Sequence, residues 1–216
     1  MSPKHKIAAR AAKEVGPGQI INLGIGIPML ILDYLAPDME VSVHSENGIL
    51  GTGGATTMAE SHPMLIDPGG TYVSVNPGGS FFDSAVSFSL VRGGRLDIAF
   101  LGTLEVDARG DLANWIIPGR LTPGIGGAME LAQKARRLVI VTTHTTRKGE
   151  PKIIPRCTLP LTAKGCVDTI VTELAVIDVT PGGLALRELA AGADLDDVLA
   201  KTGAPLALPR GDIPRF

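Results

Sequence analysis

Cysteine and histidine are scarce in this 216-residue chain, and their scarcity excludes several kinds of site. The two cysteines, Cys157 and Cys166, are too few for a disulfide framework and lack C-x-x-C spacing. We expect each of them to be a buried structural thiol. The four histidines form no metal-ligand cluster in the sequence: His5, His44, His62 and His144. The sequence therefore predicts no metal site.

The chain also lacks a strong charge of either sign and any long apolar run. Its formal net charge is −2 and its lysines and arginines are scattered, so we expect no nucleic-acid partner and no anionic membrane partner. No apolar run approaches the roughly 18 residues of a membrane span. The first five residues do not open a signal peptide. These features favour a soluble cytoplasmic protein.

Glycine and proline, by contrast, are abundant, with 27 and 16 copies. Because they follow no period, they exclude a fibrous protein and favour tight turns and loops that present backbone to a ligand. Hydrophobic residues make up 44% of the chain, which predicts a proper core. No linker interrupts the pattern, so residues 1–216 are expected to form a single domain.

Short apolar segments alternate with helical patterns along the chain. The segments expected to be strands are 19–23, 40–44, 72–75, 96–101, 138–142 and 170–179, with a hairpin over 104–115. The segments expected to be helices are 3–15, 29–35, 82–92, 126–137 and 195–201, the last capped by Asp194. This alternation predicts an α/β fold with an open, mainly parallel sheet flanked by helices.

Three loops at predicted strand ends are candidates for a ligand site: 24–28, 45–54 and 124–127. Parallel sheets bind ligands beyond the carboxyl ends of their strands, which is where these loops lie. The Gly24–Gly26 segment lacks the third glycine of a dinucleotide fingerprint, and tight packing is its simpler explanation. The Gly126–Gly127 pair either binds an oxyanion through free N–H groups or is an ordinary glycine-rich helix start.

Glu46 is the sharpest candidate for chemistry. On strand alternation it shares a face with His44. The simpler interpretation of this segment is a polar turn, because Asn47-Gly48 is a strong hairpin signal. Against that interpretation, no clear second strand follows Gly48, and the glycines through Gly54 leave bare backbone around one carboxylate.

Together these motifs resemble the family I coenzyme A transferases, in the B (β) subunit of the 3-oxoacid type. Residues 43–51, VHSENGILG, look like the active-site signature of that family, and residues 22–28, NLGIGIP, look like its first loop. LANW at 112–115, GIGGAM at 124–129 and VTELAV at 171–176 are similar to its later loops and last strand. The likeness covers nearly the whole chain and implies the CoA-transferase (NagB/RpiA-like) fold.

The resemblance implies a role for each matching residue. Glu46 is implied to be the nucleophile, and the N–H of Gly127 is implied to be the oxyanion-hole donor. The residues implied to bind coenzyme A are Asn22, Gly24, Gly26, Asn47, Asn114 and Gly126. For His44 two interpretations stay open, since it either orients Glu46 or packs as a strand histidine.

What the family does is move coenzyme A from an acyl thioester to a free carboxylic acid. The resemblance implies ping-pong chemistry through a covalent glutamyl-coenzyme A thioester on Glu46, with no permanently bound cofactor. The implied donor is succinyl-CoA and the implied acceptor is acetoacetate or 3-oxoadipate, a reaction of ketone body metabolism. The A-subunit signature is absent from this sequence, which implies a separate A subunit in an A2B2 heterotetramer.

Other functions remain open on the sequence. An acetate- or butyrate-using transferase is the nearest alternative within the family. From a different class, the chain could be a non-catalytic ligand-binding or regulatory domain of the same architecture, or a pure interaction subunit. The motif SENG at 45–48 argues against both of these, because a binding protein needs no carboxylate nucleophile there.

Overall fold

The computed structural model describes residues 1–57, 59–121 and 124–216. Its strands, in chain order, are β1 (Ile20–Leu23), β2 (Ser42–Ser45), β3 (Ile49–Ala55), β4 (Val73–Phe81), β5 (Ile98–Leu101), β6 (Glu105–Asp107), β7 (Leu112–Ala113), β8 (Arg137–Val141), β9 (Ile153–Ile154), β10 (Thr169–Val171), β11 (Ala175–Thr180), β12 (Gly183–Leu189) and β13 (Leu206–Ala207). Its helices are α1 (Pro3–Ala12), α2 (Ser84–Arg92), α3 (Ala128–Lys134) and α4 (Leu195–Lys201), with a 3-10 helix over Ile27–Tyr34.

Parallel strands form the centre of the main sheet. In the part of the chain that the structure describes, this sheet has ten strands in the order β13-β12-β11-β10-β8-β5-β1-β2-β3-β4. The five central strands, β10 to β2 in that order, run parallel to one another, whereas β11 and β12 on one side and β3 and β4 on the other pair antiparallel. A second, small sheet has the order β7-β6-β9. The predicted α/β fold with a mainly parallel sheet and flanking helices is confirmed.

The central strands carry apolar residues on both faces, because both faces are covered. In β5, Ile98 and Phe100 pack in one core cluster and Ala99 and Leu101 in the other, as the period of two requires. Residues of α1 join the first cluster, and residues of α2, α3 and the small sheet join the second. Among the residues that the structure describes, every helix is too short or too polar to cross a bilayer.

Helix α1 buries its apolar residues and, beside them, one charged residue. The sequence pattern puts Arg10 mostly away from the core, yet only 6% of Arg10 is exposed. Its guanidinium pairs with Glu14 at 2.7 Å and with Glu188 at 2.5 Å. Burial of this charge is tolerated because both carboxylates compensate it, a pairing between distant residues that helical periodicity does not predict.

The segment after Glu46 differs most from the sequence-based expectation. The sequence predicts a loop over residues 45–54 with no clear second strand after Gly48, but β3 begins at Ile49 and pairs antiparallel with β2. The Asn47-Gly48 turn signal is therefore correct, and Glu46 lies in the turn of a β-hairpin. The sequence pattern does not indicate β3 because glycines disfavour strands. Pairing with β2 and β4 holds these glycines in strand geometry.

A predicted helix and a predicted strand also differ from expectation. The helix expected over residues 29–35 is a 3-10 helix that begins at Ile27. The single strand expected over residues 170–179 is two antiparallel strands, β10 and β11. Between them the hydroxyl of Thr172 accepts hydrogen bonds from the backbone N–H groups of Leu174 and Ala175, which reverses the chain. A local side-chain bond thus interrupts an otherwise continuous apolar run.

Strand register brings the polar residues of two neighbouring strands together. In the parallel pairing of β1 with β2, Asn22 lies opposite His44, and in the pairing of β1 with β5 it lies opposite Ala99. The carboxyl ends of β1, β2 and β5 therefore meet at one edge of the sheet. The residues that follow these ends, Gly24, Glu46 and Gly102, face a common space there.

Candidate active site

A cavity of about 520 Å³ opens at this edge of the sheet. Its wall is formed by the ends of β1, β2 and β5, the start of the 3-10 helix and the chain that leads into α3. Six of the residues that the sequence singled out line it: Asn22, Gly24, Glu46, Asn114, Gly126 and Gly127. Three loops that are far apart in the sequence thus contribute to one site.

The carboxylate of Glu46 lies directly against the Gly126–Gly127 backbone. A Cβ added to Gly127 would lie 2.5 Å from Glu46 Oε2, and a Cβ added to Gly126 would lie 3.9 Å from Glu46 Oε1. Only glycine at position 127 leaves room for the carboxylate in this position. Gly126 has a φ of +55°, a conformation that glycine adopts without strain and that turns the backbone into α3.

Burial and a backbone hydrogen bond act on Glu46 in opposite directions. Burial raises the pKa of the Glu46 carboxyl, because a charge is poorly solvated in the cavity wall, and the hydrogen bond from the Gly127 backbone N–H lowers it. The net effect is a raised pKa. A carboxylate with a raised pKa is a stronger base and nucleophile when ionised, and the N–H beside it is placed to stabilise negative charge on its oxygens.

Asn22 and His44 form a buried polar pair at the cavity wall. The Asn22 side chain is 3% exposed and donates from Nδ2 to the backbone carbonyl of His44 at 3.0 Å. Nδ2 also lies 3.2 Å from His44 Nδ1, and His44 Nε2 lies 2.9 Å from the Ser87 hydroxyl. The His44 ring stacks on Phe82, with 6.3 Å between the ring centroids. His44 therefore contacts Asn22 and α2 rather than extending towards solvent.

Asn114 is held differently from Asn22. Its Nδ2 donates to the backbone carbonyl of Gly102 at 3.2 Å, and its Oδ1 accepts from the Thr162 hydroxyl at 2.6 Å. Both ends of the amide are therefore engaged by the protein. Asn114 therefore lines the cavity, and its side chain holds the loop after β5 in place.

Two predicted binding residues, Gly26 and Asn47, lie outside the cavity lining. Gly26 precedes the 3-10 helix with a φ of +95°. Asn47 is exposed in the hairpin turn, where its Oδ1 accepts from Ser45 Oγ at 2.5 Å and its Nδ2 donates to the carbonyl of Ile66 at 2.7 Å. These contacts shape the loops around the cavity, and a contact of either residue with coenzyme A stays a prediction.

Sequence reasoning missed several residues that line the cavity, notably Thr52 and Asp67. Thr52 is 4% exposed, and its hydroxyl has no hydrogen-bond partner among residues 1–57, 59–121 and 124–216. Asp67 is also 4% exposed and accepts from the Thr71 N–H at 2.8 Å. Thr52 falls in the expected glycine loop, and Asp67 belongs to no predicted element. The turn residues around Pro68 are the one signal that could have drawn attention to Asp67.

The cysteines lie away from this cavity. Both are free and half-buried. Burial, together with the charge of nearby carboxylates, raises the pKa of Cys157 and of Cys166 to about 12. Neither thiol is ionised near neutral pH, so neither is an activated nucleophile.

Comparison with protein families assigns the chain to a class. Residues 4–205 match the family model described as coenzyme A transferase. The chain therefore belongs to the coenzyme A transferase family, and it is a CoA-transferase enzyme in which Glu46 and the glycine loops line the main cavity.

The relatives of matching length are B, or β, subunits. The beta subunit of a probable coenzyme A transferase of Bacillus subtilis is 48% identical over 96% of this chain and 96% of the relative. The beta subunit of the acetate CoA-transferase of Escherichia coli is 45% identical over 99% of this chain and its own full length. The B subunit of the 3-oxoadipate CoA-transferase of Pseudomonas putida is 46% identical over 93% and 94%. Within the family, the chain is thus of the B-subunit type.

A longer human relative matches over only part of its length. Succinyl-CoA:3-ketoacid coenzyme A transferase 2, mitochondrial, of Homo sapiens is 47% identical over 94% of this chain but only 40% of the relative. Such relatives carry a further segment that this chain does not match.

Solved structures confirm the CoA-transferase fold. The chain superposes on the acyl-CoA transferase YdiF of Escherichia coli O157:H7 with a TM-score of 0.79 and 22% identity, over 100% of this chain and 43% of that one. It superposes on the decarboxylase AibA/AibB with a TM-score of 0.71 and 21% identity, over 99% and 88%. At these identities the likeness concerns the fold alone.

Proposed function

We propose that this chain transfers coenzyme A from succinyl-CoA to a 3-oxoacid, acetoacetate or 3-oxoadipate, through a covalent glutamyl-coenzyme A thioester on Glu46. One observation carries the proposal: the Glu46 carboxylate lines the cavity against a glycine backbone that donates an N–H to it. A nucleophile, a donor for its oxyanion and space for a thioester are thereby combined in one place.

The first half of the reaction would proceed in two displacements. A Glu46 oxygen attacks the thioester carbonyl, the C–S bond breaks, and coenzyme A leaves as a thiolate, so that Glu46 carries a mixed anhydride. The thiolate then attacks the glutamyl carbonyl, the bond between the glutamyl carbonyl carbon and the bridging oxygen breaks, and the first acid leaves with that oxygen as its carboxylate. The second acid reverses both displacements and leaves Glu46 free.

The Gly127 N–H supports this mechanism directly. When the thiolate attacks the glutamyl carbonyl, negative charge develops on an oxygen of Glu46, the group to which this N–H already donates. A donor placed in advance needs no rearrangement at the transition state. A glutamate suits the exchange because each step replaces one carboxylate by another, so the covalent intermediate is neither too stable nor too reactive.

A separate A subunit is part of the proposal. The three relatives of matching length described above are named as beta or B subunits, and the longer human relative contains more than twice the matched length. We propose an A2B2 heterotetramer in the cytoplasm, in which the A subunit supplies contacts to the acceptor acid.

The acceptor acid is the least constrained part of the proposal. Relatives named for acetate, 3-oxoadipate and 3-ketoacids are 45–47% identical to this chain, so overall similarity does not separate them. An acetate-using transferase is the second candidate, favoured by the match to the full length of the Escherichia coli relative.

Intact-mass spectrometry tests the covalent step. The chain is assembled with its A subunit and mixed with acetoacetyl-CoA, and the Glu46→Gln variant is treated in parallel. We expect a coenzyme A adduct on the wild-type chain that maps to Glu46, and none on Glu46→Gln. Glu40→Gln, which changes an exposed glutamate, is the matched control and should form the adduct.

Two outcomes would contradict parts of the proposal. An adduct on Glu46→Gln, or none on the wild type with several acyl donors, removes Glu46 as the nucleophile. If the adduct forms but is discharged faster by acetate than by acetoacetate or 3-oxoadipate at equal concentration, the acceptor assignment is wrong and the acetate-type enzyme is the better description.

A further inference from the structure

The side-chain amide of Asn22 is held in one orientation. Its Nδ2 faces the backbone carbonyl of His44 at 3.0 Å, and a carbonyl oxygen only accepts hydrogen bonds. The atom that faces it must therefore be the nitrogen of the NH2 group, which places Oδ1 at the opposite end of the planar amide. Oδ1 is buried and has no hydrogen-bond partner in the part of the chain that the structure describes, and Asn22 lines the main cavity.

The His44 ring supplies the second acceptor for this amide. Its Nδ1 lies 3.2 Å from the NH2 group of Asn22, so Nδ1 must carry the lone pair. The ring proton is then on Nε2, which donates to the Ser87 hydroxyl at 2.9 Å. Burial lowers the pKa of His44 to about 4, so the ring is neutral near pH 7. Ser87 is fully buried on α2, and the stacked Phe82 ring restricts rotation of the imidazole.

We infer that His44 and Ser87 are positioning residues that present Asn22 Oδ1 to the substrate as a hydrogen-bond acceptor. A buried acceptor without a partner is costly unless a ligand supplies a donor. Coenzyme A offers such donors, because its pantetheine arm contains two secondary amide N–H groups. The ligand group read by Asn22 is therefore an amide N–H of the arm. This inference rests on the proposed function for the identity of the substrate.

The hydrogen bonds from Ser87 through His44 to Asn22 also explain why a histidine lies at position 44. Glu46 is two residues after His44, but the ring bonds to Asn22 and Ser87, and no hydrogen bond joins it to the Glu46 carboxylate among the contacts of the described residues. His44 acts through Asn22 and takes no proton in the reaction. A protonated ring would turn an N–H of Nδ1 towards the NH2 of Asn22 and force the amide to rotate.

Two coenzyme A analogues test the inference, each with one pantetheine amide N–H replaced by an ester oxygen. Their acetoacetyl thioesters are compared with acetoacetyl-CoA for kcat/KM of adduct formation on the assembled enzyme. For the wild type we expect one analogue to be slower by roughly tenfold to a hundredfold, the loss typical of one buried hydrogen bond. The discrimination ratio is kcat/KM for acetoacetyl-CoA divided by kcat/KM for the slower analogue. For the double variant His44→Leu/Ser87→Ala, we expect the reaction of acetoacetyl-CoA itself to slow, so that this ratio falls towards one.

Smaller changes separate positioning from folding. Ser87→Ala alone should lower the ratio less than the double variant does. His44→Gln keeps a hydrogen-bond acceptor and a donor, so its ratio should be higher than that of the double variant. Ser89→Ala, an exposed serine on the same helix, is the matched control and should keep the wild-type ratio. An equal ratio in the wild type and the double variant, or no slow analogue with the wild type, overturns the inference.

Nitrogen-15 NMR of the wild-type enzyme gives an independent test that requires no substitution. We expect His44 as the neutral tautomer protonated on Nε2, and protonation on Nδ1 would overturn the inference. If the wild type forms no adduct with any coenzyme A thioester, the proposed function fails instead. The tautomer and the equilibrium binding of the two analogues then still decide the role of Asn22.

Discussion

At the scale of single residues, the cavity combines one carboxylate with glycines that leave room for it. Gly127 has a φ of −81°, which any residue adopts, so its backbone does not require glycine. What requires glycine there is the carboxylate, since a Cβ would lie 2.5 Å from Glu46 Oε2 and 3.0 Å from a ring carbon of Phe88. The reason for this glycine is thus a contact with the Glu46 carboxylate, the proposed nucleophile.

Gly127→Ala should therefore slow adduct formation while leaving the chain folded. We expect the added methyl group to push Glu46 away from the backbone N–H and to lower the rate by on the order of 10²–10³, the loss typical of one oxyanion donor. Stopped-flow mixing with acetoacetyl-CoA, followed by mass spectrometry, measures this rate. Gly54→Ala is the control, because a Cβ there meets no atom within 4 Å. A rate for Gly127→Ala equal to that of the control would contradict the contact argument.

At the scale of elements, the β2–β3 hairpin determines where Glu46 lies. Gly48 closes its turn with a φ of +115°, donates to the Ser45 carbonyl at 3.0 Å and accepts from the Phe82 N–H at 3.0 Å. A Cβ on Gly48 would collide with the carbonyl oxygen of Phe82. The turn thus joins the Glu46 hairpin to the chain that leads into α2.

Gly48→Ala should destabilise this junction. We expect the free energy of unfolding to fall by roughly 1–3 kcal/mol for the strained backbone, and further for the collision with Phe82. Gly78→Ala is a matched control, because Gly78 also has a positive φ, +86°, but no atom lies within 4 Å of an added Cβ. Urea unfolding of both variants measures the difference, and equal losses would show that the collision is relieved at no cost.

The elements also show where sequence patterns succeed and fail. Regular helices and buried strands such as α1 and β5 follow from periodicity, because one face or both faces of each are covered by apolar neighbours. The hairpin is half predicted: the turn signal of Asn47-Gly48 is correct, while β3 is missed because its glycines hold strand geometry only through their partners. The break between β10 and β11 depends on one hydroxyl, that of Thr172, which an apolar run conceals.

At the scale of the whole molecule, the parallel centre of the sheet creates the site. Asn22 and Glu46 come together because β1 and β2 end at the same edge, and this much follows from the sequence. Gly127 reaches the same cavity from the chain that leads into α3. Which atoms of these residues face the cavity does not follow from the sequence. That Asn22 keeps a buried oxygen without a partner in the described part of the chain, while both ends of the Asn114 amide are engaged, depends on contacts with His44, Gly102 and Thr162.

Buried neutral histidines make the stability of the whole molecule depend on pH. His144 is fully buried between the hydroxyls of Thr172 and Thr202, and burial, together with the charge of Lys201, lowers its pKa to about 4. The unfolded chain binds a proton near pH 6.5, so the folded state loses about 1.4 kcal/mol per pH unit from this group as the pH falls towards 4. His44 contributes in the same sense.

His144→Gln should accordingly weaken this dependence. We expect the variant to be less stable than the wild type at pH 7.5, because a buried bond is lost, and the gap to narrow between pH 6.5 and pH 4. Denaturant unfolding at several pH values measures the gap. His62→Gln, at an exposed position, should follow the wild-type curve. Parallel curves for His144→Gln and the wild type would contradict a buried neutral His144.

Burial of Glu46, the proposed nucleophile, sets the stability of the fold against the proposed catalysis. Because burial raises the pKa of Glu46, its contribution to stability is present at low pH and is lost as the pH rises through that raised pKa. A glutamine keeps an oxygen for the Gly127 N–H and carries no charge, so Glu46→Gln should tolerate more heat than the natural chain. Directed evolution that selects for heat tolerance alone should therefore replace the residue on which the proposed mechanism depends. A hardier version of this enzyme has to be screened for turnover at every round.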